Sequence, residues 1–207
     1  MPEKIDLTKE YKHLYQPSAK TPVILTVPAL NFLSLEGNGD PNNSQLYQDT
    51  LQSLYQLSYT IKFALKKAGG IDFQVMPLEG LWWAEDMTDF LTREKSNWLW
   101  RMMIAQPPQV TAEWVEKGRL QALAKKDAAP RLREIQFQTY EEGLCVQILH
   151  IGPYSAEGPN IQRIHAYALE QGCHLTGLHH EIYLGDPRRT APEKLKTVVR
   201  QPIARPE

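Results

Sequence analysis

The sequence predicts an α+β protein built from two pseudo-symmetric β-α-β-β modules. Apolar residues recur at three- and four-residue spacing in residues 43–70 and again in residues 158–172, which is the period of one face of an α-helix. Segments with β-branched and alternating apolar residues, typical of strands, precede each helix once and follow it twice. We interpret this recurring order as an internal duplication.

The predicted modules span residues 23–104 and 131–203 of one domain that covers the whole chain, and a connecting helix lies within residues 105–130. The first twenty residues are mostly polar, and we expect them to form a short peripheral helix or arm. In the second module we expect a single strand over residues 174–184 and another over residues 194–203.

Local sequence signals set several of the predicted boundaries. Asn43 or Ser44 is suited to begin the first helix, and the Gly69-Gly70 pair to end it. Thr111 is suited to begin the connecting helix. The Glu142-Gly143 pair lies between two strand-like segments and predicts a hairpin there.

Composition and charge exclude several classes of function. Hydrophobic residues make up 42% of the chain, charged residues 23%, and the net charge is −1, so no basic surface indicates a nucleic-acid partner. The N-terminus lacks the apolar segment of a signal peptide, and no segment is long and apolar enough to span a membrane. We therefore expect a cytoplasmic protein without a membrane partner. Cys145 and Cys173 are expected to be buried small side chains and not a disulfide.

The segment "HHEIYL", residues 179–184, places ionisable groups in an apolar strand. Because side chains alternate along a strand, His179, Glu181 and Tyr183 share one face, and His180, Ile182 and Leu184 share the other. If a helix packs against the face of Ile182, the carboxylate of Glu181 points to the open side of the sheet. The alternative is a surface ion pair between Glu181 and an arginine such as Arg188 or Arg200.

A carboxylate in a mostly apolar site attracts a ligand cation or, with its pKa raised by desolvation, acts as a general acid or base on a bound molecule. The side chains that would complete such a site are aromatic or can form hydrogen bonds: Tyr154, which follows His150 in a turn, Tyr183, Trp82, Trp83 and Glu79. We match Glu79 to Glu181 between the two modules. Of the adjacent Trp82 and Trp83, only one is expected on the site's face.

The sequence predicts neither a metal nor another cofactor. His179 and His180 project to opposite faces of their strand, and no other histidine or cysteine has the spacing of metal ligands. The segment "GNGDPN" lacks the lysine of a phosphate-binding loop and is predicted to form a turn.

Several segments resemble the stand-alone branch of the GyrI-like proteins, which is similar to the effector-binding domains of multidrug-responsive bacterial transcription regulators. These segments are "LHIGPYSAEGPNIQRIHAYALEQG", "HHEIYLGDPRRTAPEKLKTVVRQPI", "GNGDPN" and "MPLEGLWWAED". The resemblance covers residues 23–203. It implies two β-α-β-β modules with antiparallel sheets that form a central ligand cleft. It also implies apolar, aromatic or cationic ligands over a central glutamate, here Glu181, and some members hydrolyse strained cyclopropanoid natural products.

Two classes of function stay open from the sequence. The protein is either a module that binds, sequesters or senses an amphipathic xenobiotic, or a hydrolase in which Glu181 and Tyr154 act on a strained electrophile, with Trp82, Trp83, Glu79, His179, Tyr183 and His150 around the ligand. A regulator with its own DNA-binding domain is disfavoured because few residues precede the first strand. Modulation of a protein partner such as gyrase rests on the family name alone, and the oligomeric state is not predicted.

Overall fold

The protein is described by a computed structural model that covers residues 4–84 and 95–206, which form five α-helices and nine strands. The helices are α1 (Leu7–Glu10), α2 (Lys12–Tyr15), α3 (Gln45–Lys67), α4 (Ala112–Leu123) and α5 (Gly158–Glu170). The strands are β1 (Val23–Val27), β2 (Leu30–Asn38), β3 (Leu78–Trp83), β4 (Leu99–Gln106), β5 (Gln136–Tyr140), β6 (Gly143–Ile151), β7 (His174–Leu175), β8 (His179–Tyr183) and β9 (Lys196–Ala204).

The predicted α+β class and the antiparallel strand pairing are confirmed. The order strand, helix, strand, strand occurs as β2, α3, β3, β4 and again as β6, α5, β8, β9, with the two-residue β7 inserted before β8. Residues 85–94 of the predicted first module lie outside the described residues. The chain divides into two compact units, one of residues 1–7, 30–76 and 83–140, and one of residues 8–29, 77–82 and 141–207.

In the first unit, β2 pairs antiparallel with both β4 and β5. Helix α3 begins where predicted, because the Ser44 hydroxyl accepts a hydrogen bond from the backbone N–H of Tyr47. Its apolar side, including Leu54, Leu57 and Ile61, is fully buried. Helix α4 approaches α3 closely at Gly118, where a Cβ atom would lie 2.6 Å from the Ile61 side chain. Small size at this position therefore brings the two helices together.

The second unit contains an antiparallel sheet in the order β1, β6, β9, β8, β3, with β7 also paired to β9. Helix α5 packs on β6 and β9. The apolar side chains between them form one buried core of Val146, Ile148, Ile164, Ala168, Cys173, Val199 and Ile203. This packing determines which face of β9 lies on the side of α5. Because β8 pairs with β9, it also determines which face of β8 lies on that side.

Two local predictions of strand structure were wrong. The hairpin predicted at Glu142-Gly143 does not form, because β5 pairs with β2 and both edges of β6 are occupied by β1 and β9. The strand predicted over residues 174–184 is interrupted at Gly177, whose φ of +56° is unfavourable for other residues. Both pieces nevertheless pair with β9.

The N-terminal arm is also less peripheral than predicted. Leu14 and Tyr15 of α2 are buried. The arm is held by hydrogen bonds to its backbone, since the Gln147 amide donates to the carbonyl of His13 and the Arg200 guanidinium to that of Leu14. The polar composition of the arm gave no indication of these contacts, because they are made by backbone carbonyls and two large side chains. Among the described residues, no helix is long and apolar enough to cross a membrane.

Candidate functional site

Strand β8 alternates as the sequence predicts. His180 and Ile182 are buried on one face, and His179, Glu181 and Tyr183 are partly buried on the other. The strand register pairs Glu181 with Val199 of β9, whose side chain packs in the core beneath α5. Glu181 therefore lies on the side of the sheet that carries α5 and not on an open side, whereas the Ile182 face carries Tyr15 of α2.

Glu181 is held by neighbours on its own strand. The Tyr183 hydroxyl donates a hydrogen bond of 2.8 Å to Glu181 Oε2, and His179 Nε2 lies 3.2 Å from Glu181 Oε1. Trp82 of β3 donates its indole N–H to the Tyr183 hydroxyl at 2.9 Å. Trp82, Tyr183 and Glu181 thus form a hydrogen-bonded chain in which every donor points towards the carboxylate.

The two arginines considered as ion-pair partners of Glu181 bind other acids. Arg188 pairs with Asp186 at 3.0 Å in an exposed loop, and Arg200 pairs with Glu142 at 2.9 Å. The Glu181 side chain, which is 15% exposed, is instead paired with His179. The surface ion pair with Arg188 or Arg200 is therefore not the reason for an acid at this position.

A second carboxyl group, Glu157, completes the arrangement. It lies in the loop between β6 and α5, directly before the helix, and is 3% exposed. Burial, followed by the negative charge of Glu181, raises the pKa of Glu157 to about 9. Burial also acts to raise the pKa of Glu181, as predicted, but hydrogen bonds from His179, Tyr183 and Glu157 outweigh it, so this pKa is lowered and not raised. At neutral pH one carboxyl of the pair is protonated and the other is ionised.

Sequence reasoning missed Glu157. Its segment "SAEGPN" reads as a polar loop that leads into a helix, where an acidic residue is commonplace and exposed. The available signal was its position within the "GPYSAEGPN" segment that carries the family resemblance. No periodicity marks a loop residue as buried, so its contact with Glu181 follows only from the path of the loop.

His150 and Tyr154 shape that loop. The Asn160 side-chain amide donates to His150 Nδ1 at 3.0 Å, which leaves Nε2 to donate to the Pro153 carbonyl at 3.1 Å. His150 is 4% exposed, and its contacts hold the turn. Gly152 follows with a φ of +139°. The ring of Tyr154 then meets the ring of Tyr183 edge to face, with centroids 5.5 Å apart.

The tryptophans and Glu79 divide between the faces of β3. Trp82 pairs with His179, and Gly80 with Glu181, so the Trp82 side chain shares the face of Glu181. Glu79 pairs with Ile182 and therefore projects to the opposite face, as does Trp83 by alternation. The register separates Glu79, which was expected beside the ligand, from Glu181, and Trp82 is the one tryptophan of the adjacent pair that shares the face of Glu181. Matching Glu79 to Glu181 between the modules did not reveal this difference, because a shift of one residue in the strand register moves a side chain to the opposite face of the sheet.

On the opposite face of β8 lies a buried polar cluster, formed by Tyr15, Glu79, Glu142, Gln147, His180 and Arg200. His180 Nδ1 is 2.9 Å from Glu142, and His180 Nε2 is 3.1 Å from Glu79. Burial acts to lower the pKa of His180, but Glu142 outweighs it and raises the pKa to about 9. Burial acts to raise the pKa of Glu142, but His180 and Arg200 lower it to about 2. The Tyr15 hydroxyl donates to Glu79 at 3.0 Å.

Other surfaces of the described residues carry less chemistry. A shallow groove of about 530 Å³ in the first unit lies between α3 and α4 and includes Phe63, Lys67, Lys117 and Lys125. A smaller groove of about 180 Å³ includes Glu36 and Arg131. Within the described part of the chain, no group of three or more histidine, cysteine or acidic side chains is placed to hold a metal ion. The Glu157 and Glu181 pair is the arrangement best suited to proton transfer.

Comparison with known families agrees with these features. The profile of the GyrI-like small molecule binding domain matches residues 20–204. The chain belongs to this family. Comparison with curated proteins finds no match.

Solved structures extend the comparison. The GyrI-like chain is similar to an uncharacterized conserved protein from Listeria innocua, with 40% identity, a TM-score of 0.90, and coverage of 97% of this chain and 100% of that one. It is also similar to a hydrolase encoded by lin2189 from the same organism, with 38% identity, a TM-score of 0.87, and coverage of 98% and 100%. The C-terminal domain of EcmrR shares only the fold, with 11% identity, a TM-score of 0.55, and coverage of 90% and 98%.

Proposed function

We propose that this GyrI-like domain binds a flat apolar or cationic small molecule against Trp82, Tyr154 and Tyr183, with Glu181 as its polar anchor, and that it hydrolyses strained electrophiles such as cyclopropanoid compounds. The observation that carries the proposal is the paired carboxyl groups of Glu157 and Glu181, whose pKa values are shifted in opposite directions. Two acids separated in this way are typical of sites that move protons. Similarity to a hydrolase from Listeria innocua supports the reaction class.

The chemistry of ring opening requires few protein groups. In a cyclopropane conjugated to a carbonyl group, the water oxygen bonds to a ring carbon, a ring C–C bond breaks, and its electron pair moves to the conjugated acceptor. Glu181 takes a proton from the attacking water and then returns it to the acceptor, so the carboxylate is regenerated and the product carries one added water. Tyr154, whose side chain is partly exposed beside Tyr183, is placed to hydrogen-bond the acceptor oxygen.

Ligand binding without chemistry is a second candidate, and one observation favours it. The ionised Glu181 lies within a group of aromatic rings, and such a combination attracts organic cations through both the charge and the ring faces. In this case Glu181 anchors a ligand that leaves unchanged. Sugars and nucleotides fit less well, because they need many more polar contacts than this site offers.

The variant Glu181→Gln separates these functions. It keeps the size of the side chain and removes both its charge and its ability to accept a proton. For a hydrolase, conversion of a cyclopropanoid substrate to the product with one added water should fall by roughly 10²-fold or more, with little change in melting temperature. For a binding protein, affinity should fall for cations and stay unchanged for neutral aromatic ligands.

The matched control is Glu134→Gln, which replaces an acid that is 55% exposed and pairs with Arg131 in the first unit. It should alter neither turnover nor affinity. Unchanged turnover and unchanged affinity in Glu181→Gln as well would remove Glu181 from the functional site.

A further inference from the structure

The site contains one more carboxyl group than its surroundings can hold in the ionised form. Glu157 is buried, and its carboxyl group lies close enough to that of Glu181 for a hydrogen bond between the two. Such a bond needs a proton on one of the two groups, because two carboxylates repel each other. The second oxygen of Glu157, Oε1, is buried and has no hydrogen-bond partner among the described residues.

The groups around this pair come from four elements. Strand β8 provides His179 and Tyr183, which contact Glu181, and β9 provides the Thr197 hydroxyl beside Glu157. Helix α5 provides His165, which lies near His179. Strand β6 provides His150, whose two ring nitrogens form hydrogen bonds with the Asn160 amide and the Pro153 carbonyl. In the described part of the chain, no lysine or arginine forms an ion pair with either carboxyl.

We propose that Glu157 and Glu181 hold one proton between them and that a cationic ligand bound at Glu181 displaces this proton from Glu157. The inference rests on the proposed binding of small molecules at Glu181 and adds a role for a second residue. Glu157 is a positioning and charge-setting residue, because it acts through Glu181. The site binds one positive charge in both states: a proton in the free protein and the cation of the ligand in the complex.

The exchange has a definite sign. A bound cation supplies the positive charge that allows Glu157 to ionise, so the ligand lowers the pKa of Glu157 from its raised value in the free protein. Cation affinity therefore rises with pH, by at most about tenfold for each pH unit, since one proton leaves for each ligand bound. A neutral ligand supplies no charge, and its affinity stays constant.

The experiment uses N-methylquinolinium, a flat permanent cation, and quinoline, its neutral counterpart, with the full chain. Tryptophan fluorescence quenching gives the affinities from about pH 6.5 to about pH 8.5, and calorimetry in two buffers of different ionisation enthalpy gives the protons released. For the wild type, the affinity for N-methylquinolinium should rise at least about threefold over this range, with proton release. Glu157→Gln should bind the cation without either effect, and Glu170→Gln, at an exposed acid at the far end of helix α5, should match the wild type.

A second measurement needs no ligand. Infrared spectroscopy detects the carbonyl stretch of a protonated carboxyl, which should persist in the wild type at neutral pH and be absent in Glu157→Gln. In Glu181→Gln the proton should leave at lower pH, because the neighbouring charge is gone. Absence of a protonated carboxyl in the wild type at neutral pH would overturn the shared proton.

The outcomes also separate this inference from the proposed function. Binding of N-methylquinolinium with the same rise in affinity in wild type and Glu157→Gln would overturn the role of Glu157 and leave ligand binding intact. Failure of both probes to bind would overturn cation binding at Glu181, and the displacement with it. In that case the infrared signal still decides whether the two carboxyls share a proton.

Discussion

The two faces of strand β8 carry similar residues with different consequences. On one face, His180 and Arg200 stand among the acids Glu79 and Glu142, and each of the four side chains is at most 3% exposed. On the other face, His179 stands beside Glu181, whose side chain is 15% exposed, with Glu157 as an additional acid. Both faces pair a histidine with carboxylates, and they differ in charge balance and exposure.

Charge balance decides what each cluster can do. Two cations and two anions on the buried face satisfy one another, so the pKa values of Glu142 and His180 move away from neutrality and their charges stay fixed. On the other face, burial and the negative charge of Glu181 raise the pKa of Glu157, while hydrogen bonds from His179, Tyr183 and Glu157 lower that of Glu181. A balanced cluster is expected to stabilise the fold, and an unbalanced one is expected to exchange protons or bind cations.

The largest expected effect tests the buried cluster. Glu142→Gln removes the charge that both His180 and Arg200 contact, and leaves two buried cations with a single acid, Glu79. We expect a loss of about 3–5 kcal/mol in the free energy of unfolding, the usual cost of breaking a buried ion pair. Urea unfolding followed by circular dichroism measures it.

The same substitution at the exposed acid Glu134 should cost about 1 kcal/mol or less. Equal losses in Glu142→Gln and Glu134→Gln would mean that the buried cluster contributes no more than a surface ion pair, and the contrast between the faces would lose its basis.

The sequence was sufficient for those features of the site that follow from local periodicity. Alternation along β8 correctly placed His179, Glu181 and Tyr183 together. The caps at Ser44 and Thr111 were predictable for the same reason, because a hydroxyl that bonds a nearby backbone N–H is a local signal.

Features that depend on register or on distant segments were not predictable. Whether Glu79 shares a face with Glu181 depends on a register between β3 and β8 that no single strand specifies. The burial of Tyr15 depends on its hydrogen bond to Glu79, 64 residues away. Strand pairing across such distances also explains why the predicted hairpin was wrong. Two adjacent strand-like segments separated by a glycine are typical of a hairpin, whether they pair with each other or with distant strands.

A second prediction compares pH dependence. The folded protein keeps the Glu157 proton up to about pH 9, whereas the unfolded chain loses it near the ordinary pKa of 4.5. Stability therefore falls as pH rises between these values. Between about pH 5 and about pH 6.5, one retained proton is worth about 2 kcal/mol. We expect the free energy of unfolding of wild type, relative to Glu157→Gln, to decrease by about this amount across the interval.

The buried face does not interfere in this interval. The raised pKa of His180 adds stability that is complete below the ordinary value of 6.5 and is lost only as pH rises from there to about 9. His165, whose pKa is lowered by burial, contributes equally to both proteins. Parallel stability curves for wild type and Glu157→Gln would show that Glu157 titrates normally.

The smallest expected effect concerns the hydroxyl that joins Trp82 to Glu181. Tyr183→Phe keeps the ring contact with Tyr154 and removes two hydrogen bonds, the one donated to Glu181 and the one accepted from Trp82, so the free energy of unfolding should fall by about 1–2 kcal/mol. The pKa of Glu181 should rise, because the lost bond favoured its charged form. Tyr59→Phe, at a tyrosine that is 46% exposed on α3, is the control and should change neither quantity. A loss in Tyr183→Phe as large as in Glu142→Gln would mean that the face of Glu181 is also built for stability.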